Sequence, residues 1–82
     1  MSRNEFLKLT ISEKTEQLWM EGEFISEKVY YDNNISLFVF EGFFVEVFFN
    51  RNYNEITGIE IQENDQILFG YVKDLELNVL LE

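Results

Sequence analysis

The stretch that most constrains this chain is Ile35–Asn50, ISLFVFEGFFVEVFFN, which holds six of the nine phenylalanines. Two short apolar runs meet at Glu41–Gly42, and glycine takes a positive φ without steric cost, so a two-residue hairpin turn fits there. The flanking aromatic and β-branched residues suit a pleated surface. With that turn, Phe40 faces Phe43, Phe38 faces Val45 and Ser36 faces Val47 on one side. Val39 meets Phe44, Leu37 meets Glu46 and Ile35 meets Phe48 on the other. Both faces are rich in apolar residues, whereas an antiparallel hairpin with one side in water alternates cleanly. Each face therefore needs a cover.

Eighty-two residues have to supply those covers. A chain of this size buries only about 60–65% of its unfolded surface, so its core needs large side chains. A hydrophobic content of 46% and an aromatic content of 17% meet that need. There is no cysteine and no histidine, which removes disulfides, thiolate metal sites and the commonest general base. With no apolar run near 18 residues and a poor signal sequence at MSRNEFLKL, the expectation is a cytoplasmic protein without a membrane span.

Sixteen acids against six bases give a net charge of −10. Residues 1–34 carry seven acids and four bases, and residues 35–82 carry nine and two, so the excess grows along the chain. Such a surface repels phosphate backbones and anionic lipids, and no basic stripe with interleaved aromatics counters it. Neither nucleic acid nor membrane is expected as a partner.

Residues 2–11 fit either a short strand or the start of a helix, with Phe6 and Leu7 as core candidates. Thr10 and Glu13 then match a capping box, and a helix is expected over residues 11–21, with Ile11, Thr15, Leu18 and Trp19 along one side. Gly22 fits the C′ position that ends it. A first strand follows at residues 23–31, whose more apolar set, Ile25, Glu27, Val29 and Tyr31, is expected to face a core. Asp32–Asn33–Asn34 reads as a turn. After the central hairpin, Asn50–Asn54 has the composition of a second hairpin loop. Residues 55–61 return as a fourth strand with Thr57, Ile59 and Ile61 on one face and Gly58 marking a bulge or a close neighbour.

Asn64 or Asp65 is the expected N-cap of a last helix, whose stripe of Ile67, Leu68, Tyr71, Val72 and Leu75 can cover one sheet face. The tail LELNVLLE continues that helix or runs extended against the sheet edge. The fold expected is thus one α+β domain over residues 1–82: a four-stranded antiparallel meander with an N-terminal helix and a C-terminal helix packed on the sheet. The second face needs the N-terminal helix, the segment before it, or another copy of the chain.

Glu46 is the most informative single residue for function, because it interrupts the apolar run of the third strand. If buried, it meets the desolvation that makes a poised general acid or base; the plainer alternative is an exposed carboxylate or a pair with Lys28. Glu21 and Glu23 flank Gly22 and could act as paired carboxylates or hold a hard cation, although a polar helix end explains them equally well. Asn50, Asn52 and Asn54 lack the acids and central glycine of a calcium loop. Four serines have no histidine to activate them, and no phosphate-cradling or dinucleotide glycine pattern is present. No catalytic, cofactor-binding or metal residue is assigned. Trp19 and Tyr53, of residue types enriched at interface hot spots, complete the candidates, with Tyr53 at an expected loop tip.

The segments EKTEQLWMEGEFISEK, LFVFEGFFVEVFFNRNYNEITGIE and YVKDLELNVL together resemble a group of small uncharacterised bacterial proteins. In those, a helix ending in a Glu-Gly step precedes a hairpin containing FFVEV. The resemblance spans roughly residues 12–80, implies the α+β arrangement and carries no activity with it. The functional expectation is a non-catalytic protein-interaction module, as a homodimer or with another protein. The alternatives are an acidic regulator of a basic, nucleic-acid-binding partner, and a ligand-binding or enzymatic domain built on Glu46.

Overall fold

A computed structural model describes residues 1–71. Two N-terminal helices, α1 (Arg3–Leu7) and α2 (Ile11–Glu21), precede four strands: β1 (Glu23–Tyr30), β2 (Asn33–Phe40), β3 (Phe43–Asn50) and β4 (Glu55–Gln62). A last helix, α3, starts at residue 65 and is described to residue 71. The strands form one antiparallel sheet in the order β1-β2-β3-β4, so β1 and β4 are its edges. The chain is an α+β domain with helices from the two ends on opposite faces of the meander.

The central hairpin has the register that its sequence dictates: Phe40 opposite Phe43, Phe38 opposite Val45, Leu37 opposite Glu46. Glu41 (φ 50°) and Gly42 (φ 81°) both take positive φ, the backbone of a type I′ turn. That turn twists in the same sense as the strands it joins, which is why two residues suffice.

One face, the first, is a hydrocarbon core. Phe38, Phe40, Val45, Val47 and Ile59 meet Phe6 of α1 and Leu18 of α2, with Leu9, Phe43, Ile56 and Ile61 packed around them. Residues 2–11, open between strand and helix in the sequence, form α1 because Ser2 and Glu5 close a capping box and Phe6 is then carried onto Phe40 and Phe43. Leu7, expected in the core, points to solvent instead. The Thr10–Glu13 capping box starts α2 as expected.

Only Leu18 of the expected α2 stripe is fully buried; Ile11 and Trp19 are exposed. Adjacent helical positions point about 100° apart, so a helix that seats Leu18 on the sheet turns Trp19 towards its flank. Gly22 does end α2, but in an extended conformation (φ −80°, ψ 156°) rather than a left-handed one. Its glycine is required by space: a Cβ there would lie 2.6 Å from the Leu18 carbonyl oxygen.

The other face, the second, carries Ile35 and Leu37, with Ile25, Phe48, Leu68 and Tyr71 against them. Asn64 caps α3, its side-chain oxygen accepting from the backbone N–H groups of Gln66 and Ile67. Val72, Leu75 and the tail lie outside the described residues. Strand β1 departs from simple alternation through a bulge between Phe24 and Ser26. The extra residue puts Ile25 with the second-face core, while Phe24 pairs with Phe38 on the first. The set Ile25, Glu27, Val29 and Tyr31 therefore does not share a core face, and Glu27, Val29 and Tyr31 are exposed. The β1–β2 turn is also tighter than expected: β2 begins at Asn33, and Tyr31 turns the chain at φ 54°. Gly58 stands opposite Phe48 beside a second irregularity, which leaves Thr57 unpaired between Gly58 and Ile56.

Candidate functional site

Glu46 is 3% exposed, the one buried charged side chain among the described residues. Alternation along β3 sends it to the second face, where apolar neighbours strip water from it. Two donors replace that water. Gln62 Nε2, from the end of β4, donates to one carboxylate oxygen at 2.6 Å, and Tyr71 Oη of α3 donates to the other at 2.5 Å. A buried carboxylate is tolerated when its oxygens are satisfied in this way. Burial first, and then the hydrogen bond and negative charge of Glu46, push the Tyr71 phenol well above its ordinary pKa of 10.0. Tyr71 is thus held as a hydrogen-bond donor.

Lys28, the partner considered from sequence, takes a different position: its ammonium lies 4.5 Å from the centroid of the Tyr71 ring. Beside this group runs a cleft of about 280 Å³ lined by Lys28, Tyr30, Ile35, Phe48, Glu60 and Ile67 along with Glu46 and Gln62. The volume sits at the low end for a ligand pocket. Chemically, Glu46 joins β3, β4 and α3 through two accepted bonds. Tyr71 is expected from the sequence only as part of the α3 stripe, which it joins here, and Gln62 is not singled out there at all. Gln62 could have been found by extending strand alternation, since it pairs with Phe44 on the same face as Glu46.

The other candidates stand apart from Glu46. Glu21 and Glu23 are both exposed, on either side of the α2–β1 junction. Among the described residues no group of three or more acids is placed to hold a metal ion. Tyr53 is 72% exposed in the β3–β4 loop, whose backbone is tied by Asn50 Oδ1 accepting from the N–H groups of Asn52 and Tyr53. That loop is joined to the β1–β2 turn by Arg51, which donates to the Tyr31 carbonyl and to Asn34.

Trp19 has the company that sequence could not show. It is 63% exposed, yet its ring centroid lies 5.4 Å from that of Phe38, and Phe24 of β1 stands 5.8 Å from the same ring, edge-on. Phe24 and Met20 are themselves exposed. The aromatic group lies against β1, which among the described residues pairs on one side only, with β2. An edge strand offers unpaired backbone groups to a further strand, and here aromatic surface adjoins them.

Searches of family models, of curated proteins and of solved structures found no match to this chain. Among the described residues no helix is long and apolar enough to cross a membrane.

Proposed function

We propose that this chain is a non-catalytic protein-interaction module of the cytoplasm that binds through the β1 edge and the aromatic group beside it. The observation that carries this reading is the exposed pair Trp19 and Phe24, both packed against the Phe38 ring beside the edge strand β1. Exposed tryptophan and tyrosine are the residues that dominate interface energetics, and exposed Val29 lies further along β1 on the face of Phe24. Glu46 supports the non-catalytic part, because one of its oxygens is committed to Gln62 of β4 and the other to Tyr71 of α3. A homodimer formed through this edge is one form of the proposal.

The test is a photo-reactive residue placed at position 24 and, as a control, at the exposed position 4, in cells expressing the full chain. Discrete adducts, with a second copy or with another protein, are expected from position 24 and not from position 4. Equal smears from both positions, or no adduct from position 24, would overturn the proposal.

A further inference from the structure

Charge narrows the class of partner. Around the Trp19–Phe24 surface the ionisable neighbours along the chain are acids: Glu16 one helical turn before Trp19, Glu21 at the end of α2, Glu23 beside Phe24, and Glu27 further along β1. Residues three apart on a helix are surface neighbours, so Glu16 stands beside the Trp19 ring. Glu27 projects from the same face as Phe24 and accepts a bond from Ser36 at 3.3 Å. The bases nearest in sequence are engaged elsewhere, Lys14 over the Phe6 ring and Lys28 over Tyr71 on the opposite face.

A second copy of this chain is a poor occupant by the same reasoning. It brings another net charge of −10, so the acids around this surface would meet a partner with the same excess of acids. The regular part of the strand after the bulge, Ser26–Tyr30, is long enough to take a short extended segment.

We infer, resting on the interaction reading above, that the β1 edge and the Trp19–Phe24 surface receive an extended, basic and apolar segment of another protein as an added strand. Main-chain bonds to the outer side of β1 supply the alignment, an apolar side chain of the segment covers Trp19 and Phe24, and its lysines or arginines on the same face meet Glu16 and Glu27.

The experiment uses the full chain and a synthetic eight-residue peptide that repeats valine, threonine, lysine, threonine, so that valine and lysine share one face of the strand, beside the same peptide N-methylated along one edge. Trp19 is the only tryptophan, so its emission reports contact directly. The peptide is expected to shift that emission to the blue and to move the amide resonances of residues 23–30. Affinity should fall about tenfold or more between low and roughly 0.5 M salt, as screening predicts. N-methylation and the Glu16→Lys/Glu27→Lys double variant should each weaken binding about tenfold, the variant acting at exposed positions that leave the core intact.

Equal binding of the methylated peptide, or resonance changes scattered over the acidic surface, would overturn the inference. So would β1 outer amides already protected from exchange in the free chain. A dimer seen by light scattering and lost in Trp19→Glu would also overturn it while preserving the interaction reading. Failure of that reading itself is distinguished by the crosslinking result at position 24.

Discussion

The two faces of this sheet are closed by opposite means. The first is sealed by hydrocarbon alone, with Phe6 and Leu18 set into a floor of Phe38, Phe40, Val45 and Val47. The second is closed around a buried carboxylate, with Glu46 accepting from Gln62 and Tyr71. Non-directional packing tolerates small shifts in how α1 and α2 sit, whereas the bond from Tyr71 to Glu46 requires α3 to arrive in one orientation. The contrast separates a face that mainly supplies stability from one whose arrangement also depends on alignment.

The hydrocarbon face should give the largest response to substitution. Phe6→Ala removes a ring that is almost wholly buried and lies 5.3 Å from Phe40 and 5.6 Å from Phe43. A loss of about 3–5 kcal/mol is expected, read as a lower urea midpoint with an unchanged slope. A loss under about 1 kcal/mol would mean that α1 is not an essential part of that core and would weaken the comparison.

Glu46→Leu tests the polar face, and its cost should be smaller. It leaves the Tyr71 hydroxyl and the Gln62 amide without their acceptor, for about 1–3 kcal/mol. The informative quantity is the coupling: Tyr71→Phe should cost less in the Glu46→Leu background than alone, because the hydroxyl no longer has a bond to lose. Additive effects would show that the bond between Tyr71 and Glu46 contributes nothing to closing the face.

The difference between the faces also explains what could be read from the chain before its structure. The first face was legible because local rules decide it: the Glu41–Gly42 turn sets the register, and the Thr10 cap starts the helix that delivers Leu18. The acceptor role of Glu46 was not, since Gln62 and Tyr71 lie 16 and 25 residues further on. Lys28 looked the better partner because only charge and strand order were in view. The exposed aromatic surface was half visible: Trp19 stood out by type, but the bulge that sends Phe24 to its side breaks the two-residue period on which strand reading depends.

Alkaline pH separates the faces without any change in the first. The Tyr71 phenol is pushed up in the folded chain, so the unfolded chain loses its proton at a lower pH. Below the ordinary pKa of 10.0 the contribution is complete, and above it the unfolded state binds fewer protons, so stability falls as pH rises towards the folded value. Urea midpoints measured from about pH 9 to pH 11 should therefore fall more steeply in the native chain than in Tyr71→Phe. Parallel slopes would mean that Tyr71 is as free to ionise folded as unfolded.

The smallest effects come from the caps, and they sharpen the comparison because each cap serves one face. Thr10 accepts from the Glu13 N–H at the start of α2, and Asn64 accepts from Gln66 and Ile67 at the start of α3. Thr10→Ala and Asn64→Ala should each cost about 1 kcal/mol, the ordinary value of an N-cap. Their local consequences should differ. With Thr10 gone, Leu18 is still gripped by the hydrocarbon core, so fraying should stay within the first turn of α2. With Asn64 gone, the turn that brings Tyr71 to Glu46 loosens, and amide exchange should rise through residues 65–71 together. Equal, purely local fraying in both variants would show that the Glu46 bonds do not couple α3 to the sheet, and that the two faces are closed by the same means after all.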